Sequence, residues 1–215
     1  DLRSLNDLEY TISGSFKNKT ISNLEIRIAG HVFTGSASDK SITLTAELFN
    51  IDTFISQDFL DNYGEQQFLT ADPLTIPFAI PVNFSLSAAR VIYSGDEFAN
   101  FVYSLRDNTK SFSVTDSLRG NLLTSISKSG TRYNILLQLN KFVINDRLLN
   151  TTLPLNIADT TITGQVTLST SGQIAYDTWY NLTGKIDLAF DGGLIVGLGI
   201  DDFYANASTA TKMNG

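Results

Sequence analysis

The residues able to do acid–base, nucleophilic or metal chemistry are few in this 215-residue chain. It has no cysteine and a single histidine, His31. A thiolate nucleophile, a disulfide framework and Cys-ligated zinc or iron–sulfur centres are excluded, and a Ser-His-Asp arrangement would have to be built around that one imidazole. His31 lies in Ile28-Ala-Gly-His-Val-Phe33, with no acid beside it in sequence. It reads as a strand histidine facing solvent or a neighbouring side chain. No cofactor is expected.

Carboxylates are the next chemistry. Asp187, Asp191, Asp201 and Asp202 gather around one hairpin, and Asp58, Asp61 and Glu65 around a second segment. Turn carboxylates with nearby carbonyls can supply the six to eight oxygens that calcium takes. No EF-hand or Gly-Asp nonapeptide spacing is present, so the alternative is a solvated acidic rim. A glycosidase acid pair would need two carboxylates held across a cleft. Trp179, with Tyr176 and Tyr180, is either a sugar-stacking platform or core. Gly192-Gly193 and Gly197-Leu-Gly199 lack the Lys-Ser/Thr and the helix of a phosphate loop.

Five Asn-x-Ser/Thr sequons stand at Asn18, Asn83, Asn150, Asn181 and Asn206. Asn18, Asn150 and Asn206 fall at turns or near the chain end, where an N-linked glycan has room. Asn83 and Asn181 fall in strands and need an outward orientation.

The elements that must position these groups are strands. Alternation marks Leu8–Phe16, Leu24–Phe33, Ile42–Phe49, Leu74–Val91, Leu122–Ile126, Tyr133–Ile144, Thr161–Leu168, Tyr180–Phe190 and Leu194–Ile200. Turn residues separate them at Thr34-Gly-Ser36, Lys128-Ser-Gly-Thr131, Asn145-Asp146, Ser171-Gly172 and Asp191-Gly-Gly193. This spacing predicts an all-β, antiparallel sandwich, immunoglobulin-like or jelly-roll-like, with one or two short helices. One helix is expected after the capping box Ser94-Gly-Asp-Glu97, with Phe98, Phe101, Val102 and Leu105 as its stripe. The other is expected over about 53–63, ending at Gly64. Pro73, Pro77 and Pro81 place an edge strand or crossover there, and a boundary between two lobes near 70–82. Gly14, Gly30, Gly164 and Gly184 recur in similar short patterns and suggest strongly coiled sheets. The organisation expected is an N-terminal strand within 1–17, a sandwich over 18–205 and a polar tail over 206–215.

Apolar residues make up 42 % of the chain and charged ones 17 %, with a net charge of −7. No Lys/Arg cluster offers itself to nucleic acid. No apolar run is long enough to span a bilayer. The chain opens on Asp1-Leu-Arg-Ser without an apolar signal core, which fits a secreted, extracellular or cell-surface protein whose leader has been removed.

The first strand suggests a job. Leu8, Tyr10, Ile12, Gly14 and Phe16 share one face of it. The segment from about 6 to 17 resembles the N-terminal donor segments of donor-strand-exchanged filament subunits, including the cysteine-free, Ser/Thr/Asn-rich subunits of archaeal surface threads. That resemblance implies a non-enzymatic homopolymer in which these residues fill a neighbour's groove. The same alternation suits a strand paired within its own sheet. Tyr180-Asn-Leu-Thr-Gly-Lys-Ile-Asp-Leu188 is similar to the last strands of LEA14-like β-sandwich domains. That similarity implies a soluble binding module without a catalytic site; a carbohydrate-binding module belongs to the same class.

Overall fold

The computed structural model describes residues 9–54, 82–144, 156–158, 160–172, 175–192 and 194–196. Thirteen strands are formed among them: β1 Tyr10–Lys17, β2 Thr20–Ile28, β3 His31–Ser38, β4 Ser41–Asn50, β5 Asn83–Tyr93, β6 Asp96–Arg106, β7 Thr109–Thr115, β8 Asn121–Ser129, β9 Arg132–Ile144, β10 Asn156–Ala158, β11 Thr160–Ser171, β12 Thr183–Asp191 and β13 Leu194–Val196. A 3-10 turn, Ile51–Thr53, follows β4, and one short helix, α1 (Ala175–Tyr180), precedes β12. The protein is all-β.

Eleven strands join one hydrogen-bonded sheet in the order β1 through β9, then β11 and β12, and β10 pairs with β13 in a small separate ladder. The strands expected in two sandwiched sheets thus share a single ladder. Every pairing in the large sheet is antiparallel except β4 with β5. A parallel pair cannot be joined by a tight hairpin, so the link from β4 to β5 returns to the end where β4 began.

Directly paired residues point to the same side of a sheet, so the register sorts the side chains into two faces. One unbroken row runs Leu24, Gly35, Leu44, Leu86, Tyr103, Phe112, Thr124, Leu137, Val166, Ile186 across ten strands. On the other face the corresponding row is Ser13, Glu25, Thr34, Thr45, Ser87, Val102, Ser113, Leu123, Gln138, Gln165, Asp187. One face is therefore apolar along almost the whole sheet and the other is dressed in hydroxyls and amides. Both buried clusters lie on the apolar face. Leu24, Phe33 and Leu44 form one, and Ala88, Val91, Phe98, Phe101, Leu139, Phe142 and Ile162 the other.

The helix expected over Ser94–Leu105 is a correction: Ser94 and Gly95 are the turn of a hairpin and β6 follows at once. Both turn residues have positive φ, 53° and 77°, as a type I′ turn requires. Further on, Asn100 sits at φ 54° and the β6–β7 register shifts between Ala99 and Val102. This bulge inserts one residue, so Phe98 and Phe101 stay on the same face at a spacing of three. A bulged strand thereby imitates the helical stripe. Ala29-Gly30 is likewise a two-residue turn, at φ 49° and 78°, and splits the expected strand 24–33 into β2 and β3. The expected turn at Thr34–Ser36 lies inside β3. Tyr176, Trp179 and Tyr180 fall in α1 rather than in a strand. Of the expected helix over 53–63, residues 53 and 54 are described, the first closing the 3-10 turn. The rest of it, the prolines at 73, 77 and 81, and the boundary near 70–82 lie outside the described residues.

Candidate functional site

Among the described residues an apolar cavity of about 510 Å³ lies on the apolar face. β5 supplies Val91 and Tyr93, β6 Phe98, Phe101 and Tyr103, and β7 Phe112 and Val114; Leu122, Phe142, Ile144 and Ile51 complete it. The curl of the sheet makes it concave. Phe98 on β6 and Phe142 on β9 stack with ring centroids 6.0 Å apart and planes 10° apart. Three strand spacings on a flat sheet would separate them by about 14 Å. Phe49 and Phe101, two strands apart, also close to 6.1 Å.

Hydrogen bonds at one end hold the mouth. Asp52 in the 3-10 turn accepts the Ser94 amide at 2.7 Å and the Gly95 amide at 2.9 Å, clipping the turn that carries Ile51 to the β5–β6 hairpin. The Asn50 side chain caps that turn by accepting the Asp52 amide at 3.0 Å. His31 secures the end of β4: its Nε2 accepts the Asn50 amide at 3.0 Å, and its Nδ1–H donates to the Ala29 carbonyl at 2.9 Å. Its ring packs against Phe33, Phe49 and Phe54. This is a neutral tautomer used for positioning, facing neighbours as the sequence allowed.

At the far side Asp116, buried, accepts three amides. Its Oδ1 takes Leu118 at 2.9 Å and Gly120 at 2.7 Å, and its Oδ2 takes Val143 at 2.6 Å. It ties the β7–β8 turn to β9 beside Phe142.

The cavity's chemistry follows from its lining. Among the described residues its only titratable groups are the phenols of Tyr93 and Tyr103, and burial pushes the Tyr103 phenol up from its ordinary value. Such a site can hold an apolar molecule and hydrogen-bond it at two points. A larger depression of about 690 Å³ lies on the polar face over β8, β9, β11 and β12, lined by Asn121, Gln138, Asn140, Gln165 and Asp187 among others. Among the described residues no aromatic side chain lines it.

The residues singled out from sequence are dispersed. Tyr10, Ile12 and Phe16 lie on β1, an outermost strand of the sheet, 61 %, 63 % and 75 % exposed. β1 is paired within its own chain, Tyr10 opposite Ile28, Ile12 opposite Ile26 and Phe16 opposite Ile21. Gly14 sits at a register shift in this pair, where a Cβ would meet Ile21 at 2.7 Å. Leu8 lies outside the described residues.

Asn18 is exposed in the β1–β2 turn and Asn83 exposed at the start of β5. Asn181 is exposed after α1, its Nδ2 donating to the Ser171 carbonyl at 2.8 Å. Asn150 and Asn206 lie outside the described residues, as do Asp201, Asp202, Asp58, Asp61 and Glu65. Asp187 pairs with Lys185 at 3.3 Å, and Asp191 stands four residues along β12, about 13 Å away at the rise of a strand. Among the described residues no three His, Cys, Asp or Glu side chains are grouped to hold a metal. No helix among them is long and apolar enough to cross a membrane.

The cavity was missed in the sequence, although its residues were visible. Phe98, Phe101, Val102 and Leu105 have a spacing that predicts a helix after Ser94, whereas Phe98 and Phe101 line the cavity from a bulged strand. No protein-family model, curated protein or solved structure matches the chain.

Proposed function

We propose that this chain is a non-catalytic binding module that carries an apolar small molecule against the concave face of its curled sheet. One observation supports the reading above the others: among the described residues the cavity of about 510 Å³ is lined by side chains whose only polar atoms are two phenol hydroxyls. A concave apolar volume of this size with a few orienting polar groups is the usual form of a small-molecule site. Filling it would remove apolar surface from water at roughly 25 cal/mol per Å². The test is titration with an environment-sensitive apolar dye, comparing the full chain with Val114→Trp, whose indole would occupy the space. Dye emission should rise with the native chain and fail to rise with a variant that still melts cooperatively. A folded Val114→Trp that binds dye like the native chain would exclude the cavity.

A second reading keeps the assembly role. It rests on the exposed Tyr10, Ile12 and Phe16 of an outermost strand, because such an edge is a template for another strand. With β1 already paired to β2, association would proceed by adding a neighbour's strand to the free side of β1. Ile12→Asp should abolish polymers seen by negative-stain microscopy while leaving the monomer folded. Polymers indifferent to Ile12→Asp would remove this reading.

A further inference from the structure

We infer that the strand added to the free side of β1 is β12 of a second copy of this chain, so that one copy's sheet continues into the next, head to tail. This rests on the assembly reading of β1, and names the partner strand and its register.

Among the described residues β1 and β12 are the two outermost strands of the large sheet, each hydrogen-bonded on one side only. From β1 to β12 the strand direction reverses at nine of the ten junctions, β4 with β5 being the exception. An odd number of reversals leaves β1 and β12 running in opposite directions. Two copies set side by side in one orientation, apolar faces on the same side, therefore bring β12 against β1 as an antiparallel pair, the more stable kind. Were β4 and β5 antiparallel as well, those edges would meet parallel. Both edges also leave apolar side chains uncovered on that face: Tyr10, Ile12 and Phe16 on β1, and Ile186 and Phe190 on β12, the last two 67 % and 50 % exposed.

Matching the faces fixes the register. Registers that keep apolar against apolar differ by steps of two residues, and in one of them every residue of β1 has a partner in β12, from Tyr10 with Phe190 to Lys17 with Thr183. On the apolar face Tyr10 then meets Phe190 and Ile12 meets Leu188, while Ile186 faces Gly14 and the Phe16 ring faces Gly184, whose missing side chain leaves it room. On the polar face Thr11 meets Ala189, Ser13 meets Asp187 and Ser15 meets Lys185, so no like charges oppose each other along β1. A slip of two residues one way sets Lys17 against Lys185, and the other way leaves Phe16 and Lys17 beyond the end of β12. The one like-charged pair, Glu9 with Asp191, falls outside β1. The seam is heterologous, so each added copy presents a fresh edge and the series ends in an open filament or a closed ring.

The experiment is sedimentation velocity on the full chain, on Ile12→Asp, on Ile186→Asp and on an equimolar mixture of the two variants. The native chain should give oligomers that grow with concentration, and each variant alone should run as a monomer because one of its edges is blocked. The mixture should give a dimer and nothing larger, since Ile186→Asp keeps an intact β1 and Ile12→Asp an intact β12; that rescue also shows both variants to be folded. Disulfide capture in the same mixture reads the register, because the chain has no cysteine of its own. Thr11→Cys on the Ile186→Asp copy should cross-link to Ala189→Cys on the other, and should not do so to Asp187→Cys, a diagonal neighbour about 7–8 Å away and beyond disulfide reach. Native-sized oligomers of Ile186→Asp beside monomeric Ile12→Asp would overturn β12 as the partner and leave addition to β1 standing. A mixture without the dimer would overturn the pairing, and capture through Asp187→Cys in place of Ala189→Cys would overturn the register. A native chain that stays monomeric at every concentration would overturn this inference and the assembly reading together.

Discussion

Phe98 and Phe142 are three strands apart in the sheet, yet their rings stack at 6.0 Å with an interplanar angle of 10°. The contact exists because the sheet curls about its apolar face, a response to having one face that water rejects and one that it solvates. Both rings are buried. Each side chain therefore serves the core and the wall of the cavity at once.

Phe98→Ala and Phe142→Ala should each destabilise the protein by about 3–5 kcal/mol, the usual cost of emptying a buried aromatic position. The double variant should cost less than their sum, by about 0.5–1.5 kcal/mol, since the stacking term is lost only once. Urea unfolding of the four proteins measures this. Strict additivity would mean that the rings do not interact.

Asp116 should prove a folding residue with no direct part in binding. It is buried and its two oxygens accept three backbone amides from two separate segments. Asp116→Asn replaces an acceptor oxygen by a donor facing an N–H, and should cost about 1–3 kcal/mol, with Asp116→Ala costing more. Hydrogen exchange should report the loss first at Gly120 and Val143. Native protection at both amides in Asp116→Asn would show that the carboxylate is dispensable.

Gly164 permits the close approach of β11 and β12. Its φ is 147°, and a Cβ there would lie 2.0 Å from the Asp187 carbonyl oxygen. Gly164→Ala should loosen the β11–β12 ladder, lowering exchange protection from Thr183 to Asp191 while β2–β4 keep theirs. Unchanged protection in β12 would mean that the strands can separate without cost.

The Tyr103 phenol gives an alkaline signature. Burial disfavours its phenolate, so its pKa is higher folded than unfolded. A raised value means that its share of stability is fully present below the unfolded pKa near 10 and is lost as pH rises through the higher folded value. Native protein should lose stability above about pH 10 more steeply than Tyr103→Phe. Parallel pH profiles for the two proteins would show that Tyr103 is not ionising at a cost.

His31 shows how a residue's use can lie outside what its sequence context tells. The sequence reads it as a strand histidine facing solvent or a neighbour, and the structure makes it a hydrogen-bonded spacer between Asn50 and Ala29. The all-β class was legible because it follows from a period of two, whereas the exposure of Tyr10, Ile12 and Phe16 on β1 was not, since alternation there reads as a strand with one buried face. Phe98 and Phe101 were misread because a bulge at Asn100 changes the period to three, and a bulge is a property of two paired strands rather than of one. The same limit hid the apolar row from Leu24 to Ile186. Alternation within a strand tells which residues share a side of that strand. Which strands lie beside it, in what register, and how far the sheet curls are settled only when many weak pairings are satisfied together, and that is where the cavity comes from.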